Sequence, residues 1–230
     1  MDRNQKNTRV HTLRVKMANA YLIENETGMV LFDCGAPGSE NRIIRKMNEI
    51  GRDDLKLIYI SHAHIDHYGS AAALREMTGA DIAIHTDDSQ DMALGNSILG
   101  RTKGRGFFIH FCFPLIERIW TCMPTTADIL LEDGDTLNNY DFDAIVLHTP
   151  GHTDGSSSLI LKNGDAFVGD LISSSGQPRA QRFFAQDWDQ IPASIQRLSG
   201  KNPKRVYTGH GKSPLEVEGS LPDLLQSHLR

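Results

Sequence analysis

Two distant segments of this 230-residue chain share one build. "LIENETGMVLFD" (Leu22 to Asp33) and "LILKNGDAFVGD" (Leu159 to Asp170) each read as strand, turn, strand, and each ends on aspartate. Each then leads through a helical segment into a strand that ends on histidine: "KLIYISH" reaches His62 and "KRVYTGH" reaches His210. Short β-rich apolar runs broken by Asn and Gly are the pattern of paired strands rather than of helices. A chain built from two such halves is expected to pack sheet against sheet, keep its helices outside, and bring the strand ends together along one edge.

The remaining pattern fits a mixed α+β domain. Strands are expected near Thr8 to Val15, Ala20 to Ile23 and Met29 to Phe32, followed by a helix in "SENRIIRKMNEIG" with Ser39 as N-cap and Gly51 as the stop. Further strands are expected at "DIAIH", "DILLE", "DFDAIVLH", "SSLILK" and "AFVGD". Helices are expected at "GSAAALREMTG", "IPASIQRLSG" and "LPDLLQSHLR", and a helical turn or two at "DDSQDMAL". Residues 1–230 are read as a single domain, with a less regular insertion at about 95–126 that acts as a lid or as packing. Its aromatic residues Phe107, Phe108, Phe111 and Phe113 would suit an apolar group on a substrate.

The chemistry concentrates at the expected edge. "ISHAHIDHYG" places His62, His64, Asp66 and His67 directly after an apolar strand. Alternation sends His62 and His64 to one side, and a tightening turn would aim Asp66 and His67 at a second position beside the first. Three more residues recur in the same setting, after an apolar strand and beside glycine: His152 in "TPGHTDG", Asp170 in "FVGDL" and His210 in "YTGHG". Histidine with carboxylate is a donor set for first-row metals, so these seven residues are expected to bind two divalent ions, zinc first, with iron or manganese as alternatives.

"HAHIDH", "PGHT", "GD" and "GHG", in this order, resemble the metallo-β-lactamase fold superfamily over roughly Val10 through His210. The resemblance implies a four-layer αββα sandwich of two related halves. It implies one metal on His62, His64 and His152, a second on Asp66, His67 and His210, and Asp170 as the bridge. The aspartate at position 170 and the histidine at position 67 are similar to the glyoxalase II and quorum-quenching lactonase branches, and differ from the commonest zinc β-lactamases. Asp33 in "LFDCG" is similar to the aspartate turn that supports the metal loop in this family.

The implied activity is hydrolysis of a small thioester or lactone by a hydroxide held between the two ions, with Asp66 as the catalytic residue that orients it and moves its proton. Phosphodiesterase or β-lactamase-type activity on the same centre is the alternative, and a metal-bound binding module without turnover is the reading from a different class. His11, His85, His110, His148 and His228 are left outside the ligand set. No GxSxG, P-loop or GxGxxG motif is present, which removes serine-hydrolase and nucleotide-binding readings. With a net charge of -5 there is no general pull toward nucleic acid or anionic membrane, so the expected partner is a small molecule. Homo-oligomer formation is left open. Three cysteines at wide spacing and a polar N-terminus without an export signal lead to the expectation of a reduced, cytoplasmic protein.

Overall fold

The computed structural model describes residues 8–103, 124–181 and 183–226. The first half runs β1 (Arg9–Arg14), β2 (Asn19–Glu24), β3 (Met29–Phe32), α1 (Glu40–Glu49), β4 (Leu55–Ile60), α2 (Ile65–Tyr68), α3 (Ala71–Thr78), β5 (Asp81–His85), α4 (Thr86–Leu94), β6 (Arg101–Thr102) and β7 (Ile129–Leu131). The second half runs β8 (Ala144–His148), β9 (Ser157–Leu161), β10 (Asp165–Phe167), β11 (Ile172–Ser173), β12 (Arg179–Ala180), β13 (Phe184–Ala185), α5 (Gln190–Ser199), β14 (Arg205–Tyr207), β15 (Leu215–Glu216) and α6 (Leu221–Gln226).

Two mixed sheets result, ordered β1-β2-β3-β4-β5-β7 and β15-β14-β10-β9-β8. The duplication seen in the sequence is also a duplication of topology. β2 and β3 form an antiparallel hairpin, and α1 crosses over to β4 parallel to β3. β9 and β10 do the same, with α5 crossing over to β14 parallel to β10.

Strand alternation sorts the side chains into three cores, which makes four layers. Leu22, Leu31, Ile58 and Ile84 face the helices of the first half, and Ile160, Ala166 and Val206 face those of the second. Tyr21, Phe32, Tyr59, Leu159, Phe167 and Tyr207 meet between the sheets. Phe32 stacks on Tyr59 with centroids 5.1 Å apart, and Phe167 on Tyr207 at 4.4 Å. Each buried ring contributes about 1.5–3 kcal/mol by leaving water, so this aromatic layer is a large part of what fixes one sheet on the other.

Some local expectations change. Ser39 occupies the N-cap position of α1, but its side chain makes no capping bond. Its hydroxyl instead donates to Ala36 O (2.8 Å) and accepts from Lys16 N (3.1 Å), because the turn before the helix offers those partners first. "DDSQDMAL" is a full helix, α4, capped by the His85 ring, whose Nδ1 accepts from Asp87 N. His85 itself is buried on a strand paired on both sides, by β4 and by β7.

Of the 95–126 segment, β6 pairs with β13, and Lys103 Nζ lies 4.2 Å from the Trp188 ring centroid. Phe107, Phe108, Phe111 and Phe113 lie outside the described residues.

Candidate metal centre

β4 ends on Ile60, the chain bends through 61–63 with His64 N donating to His62 O (3.0 Å), and the single turn of α2 opens at Ile65. The bend followed by the helical turn separates His62 and His64 from Asp66 and His67. The remaining three residues arrive on loops from the second half. Asp170 lies on a 3-10 turn after β10, not on the strand itself. His210 follows β14 on a loop held by the first half: Asn19 N donates to Gly209 O (2.7 Å), and Asn19 Nδ2 donates to Thr208 O (3.0 Å). Gly209 has to be glycine because a Cβ there would overlap the Asp170 carboxylate and the His67 ring.

The seven residues converge. His62 Nε2 lies 3.1 Å from His64 Nδ1, which lies 3.0 Å from His152 Nε2. A tetrahedral ion with bonds of about 2.0–2.1 Å to imidazole holds its donors roughly 3.3 Å apart, so this trio has nearly the spacing a bound ion requires. Beside it, His210 Nε2 stands 3.4 Å from Asp66 Oδ2, and His67 Nε2 stands 3.8 Å from that same oxygen. Asp170 spans the two groups: Oδ2 is 3.6 Å from His152 Nε2 and 3.2 Å from His210 Nε2, and Oδ1 is 3.5 Å from His67 Nε2.

The outward bonds fix which nitrogen faces inward. His64 Nε2 meets Ile98 O (3.0 Å) and His152 Nδ1 meets Phe184 O (3.1 Å). A carbonyl only accepts, so these nitrogens carry the protons and leave His64 Nδ1 and His152 Nε2 as bare lone pairs. Ser61 Oγ donates to Asp33 Oδ2 (2.9 Å) and accepts from His62 Nδ1 (2.9 Å). His67 Nδ1 donates to Asp33 Oδ2 (2.8 Å). Metal-bound histidines are held in this way by acceptors behind them. His67 Nε2 and Asp170 Oδ1 are buried with no hydrogen-bond partner, the condition of donors awaiting an ion. The residues present therefore fit a pair of first-row ions.

Charge divides the two groups. Burial, reinforced by neighbouring imidazoles, holds His62 well below the usual histidine range and lowers His152 to about 3. Burial also pushes His67 and His210 down, but carboxylates outweigh it. Asp33, Asp66 and Asp170 raise His67 to about 10, and Asp170 with Asp66 raises His210 to about 9.

An ion entering beside His67 and His210 at pH 7 therefore has to displace up to two protons, whereas His62 and His152 bind without releasing any. Affinity at the His67/His210 group should climb with pH by up to roughly 100-fold per unit until about pH 9. Calorimetric titration in buffers of different protonation enthalpy measures this. One of two metal-binding steps should carry a buffer-dependent heat, and equal heats in all buffers would count against the assignment.

His85 and His148 stack at 4.0 Å with Asp87 nearby, outside the seven. His85 Nδ1 accepts from Asp87 N and His148 Nε2 donates to Asp154 O, while His85 Nε2 is buried without a hydrogen-bond partner. Backbone acceptors such as Ile98 O and Phe184 O were invisible in the sequence, since any residue type supplies a carbonyl. Asp33 in "LFDCG" carried the sequence signal of support behind His62 and His67, and Ser61, next to His62, links it to the His62 ring.

Four of the seven, His64, Asp66, Asp170 and His210, floor a cleft of about 310 Å³ walled by Met17, Ile65, Leu99, Phe183 and Phe184, with Ser173, Ser175 and Gln181 also lining it. Among the described residues, no lysine or arginine lines it.

Residues 13–210 match the family model of the metallo-beta-lactamase superfamily. YobT of Bacillus subtilis (strain 168) is 31% identical over 84% of this chain and 83% of its own. Hydroxyacylglutathione hydrolase GloC of Haemophilus influenzae is 26% identical, covering 82% of each. The crystal structure of TTHA1623 in a di-iron-bound form superposes with a TM-score of 0.67 at 26% identity, covering 90% of this chain and 94% of the other.

Proposed function

This chain belongs to the metallo-beta-lactamase superfamily and is a metal-dependent hydrolase, and from that premise we propose that it cleaves a small ester-like bond, a thioester or a lactone, at a two-metal centre. His62, His64 and His152 would hold one ion and Asp66, His67 and His210 the other, with Asp170 serving both groups. The observation that carries this reading is the position of Asp170, whose two carboxylate oxygens reach histidines of both groups.

Bound there, a pair of divalent ions supplies Lewis-acid polarisation of a carbonyl oxygen and a lowered pKa for an attacking water. The chain supplies the rest. Ile65, Leu99, Phe183 and Phe184 cover an apolar acyl portion and exclude bulk water from it. Asp66, partly exposed on the cleft floor, takes the proton of the attacking water at its carboxylate. Asp33 and Ser61 hold His67 and His62 in the tautomers that keep their lone pairs inward.

A wall of apolar side chains suits an uncharged acyl group better than a phosphodiester, which favours the ester-like reading over phosphodiesterase activity. The relative named as a hydroxyacylglutathione hydrolase supports the thioester branch, and the di-iron neighbour supports iron beside zinc and manganese as the resident ion.

The test is metal analysis of the purified protein followed by a panel of thioester, lactone, β-lactam and phosphodiester substrates. Turnover of a thioester or lactone is expected, lost on chelation and restored by zinc, manganese or iron. Turnover confined to the phosphodiester or the β-lactam, with the metal fully loaded, would overturn the substrate assignment.

A further inference from the structure

We propose that Asp88 is a positioning residue that clasps the two metal-binding loops together and sets the spacing of the His62, His64 and His152 nitrogens; this rests on the metal-centre reading above. Asp88 lies in the first turn of α4, yet it is only 2% exposed. Its carboxylate turns away from its own helix to accept three bonds from the two loops. Oδ2 accepts from Ala63 N (2.7 Å) and from Thr153 Oγ1 (2.8 Å), and Oδ1 accepts from Gly155 N (2.7 Å).

Ala63 stands between His62 and His64, and Thr153 directly follows His152. One oxygen therefore grips both loops within a residue of their ligands. No other described side chain accepts from both of these loops. The approach is close enough to require glycine at 155, where a Cβ would fall 2.5–2.7 Å from the Asp88 backbone nitrogen, Cβ and Cγ.

Two loops from different halves of the sandwich have no covalent reason to keep their histidines 3.0 Å apart. Between them the metal-free trio experiences repulsion of inward lone pairs, which would spread the loops. A buried carboxylate with three donors opposes that spreading through charge-assisted bonds. Residues that orient ligands from behind typically change metal affinity 10–100-fold when replaced.

The experiment is cobalt(II) titration of the full chain, read by d–d absorption and by competition with a chromophoric chelator. In Asp88→Asn the amide turns a donor toward Ala63 N or Gly155 N. The binding step assigned to the three histidines should then weaken about 10–100-fold with altered band positions, while the other step changes little. Unchanged affinity and spectrum, or equal loss at both steps, overturns the proposal.

If Asp88→Asn does not fold, Thr153→Val and Thr153→Ser decide. The valine variant should bind roughly tenfold more weakly and the serine variant like the parent; equal binding by all three overturns the clasp. A parent protein that takes up no cobalt would instead sink the metal-centre reading itself, and the clasp with it.

Discussion

Asp170→Ala is expected to strip the protein of bound metal and to lower kcat/KM for its substrate by about a thousandfold or more. Lewis-acid stabilisation of a transition state amounts to several kcal/mol, and each 1.36 kcal/mol is a factor of ten in rate. Asp170 is the residue through which the two groups meet, with Nε2 atoms of His152, His210 and His67 all within 3.6 Å of its oxygens. Burial alone would push its carboxyl up, but His210, His67 and His152 hold it far below the usual carboxylate range. It therefore stays ionised at every working pH.

His64→Ala should also lose metal and activity together, through the three-histidine group. Metal content by elemental analysis, measured beside kcat/KM, checks both variants. Full metal occupancy in both would contradict the assignment. The fold should survive Asp170→Ala, because His67 can release its proton once that carboxylate is gone.

The second large effect falls on stability. Asp33 is fully buried and accepts from Ser61 N (2.8 Å), Ser61 Oγ (2.9 Å) and His67 Nδ1 (2.8 Å). It also holds a left-handed backbone, φ +56°, which Asp and Asn tolerate and alanine does not. Asp33→Ala leaves three buried donors without an acceptor and adds backbone strain, so it should destabilise the metal-free protein by about 3–5 kcal/mol. Asp33→Asn keeps the backbone and one acceptor and should lose less. Urea unfolding of the metal-free variants measures the difference. An alanine variant as stable as the parent would show that the Asp33 network does not hold the loop.

How much of this was legible depended on the range of the interaction. The strand–turn–strand echo and the helices could be read because period-two and helical spacing are local properties of the chain, and the αββα layering was implied by the family resemblance. The candidate ligands were legible because donor chemistry narrows to His and Asp, because four of them cluster after one strand, and because His152, Asp170 and His210 each stand after a strand beside glycine. Asp33 could be seen as a supporting turn.

Asp88 could not. "DDSQD" reads as a solvated helix start, and nothing in it reveals that one of its carboxylates is buried against loops 25 and 67 residues away. Ile98 O and Phe184 O were equally silent, since every residue carries a carbonyl. Ser39 was read as a cap, yet its hydroxyl bonds the preceding turn.

By itself the sequence determined which elements form and which side chains can bind an ion, since both follow from spacing and functional-group chemistry along one strand of covalent bonds. Only the tertiary structure decided which nitrogen of each ring points inward, which histidines have their pKa raised by nearby carboxylates, and which buried acid ties the loops. Those outcomes are set by distances between atoms far apart in the chain, and distance is what folding supplies.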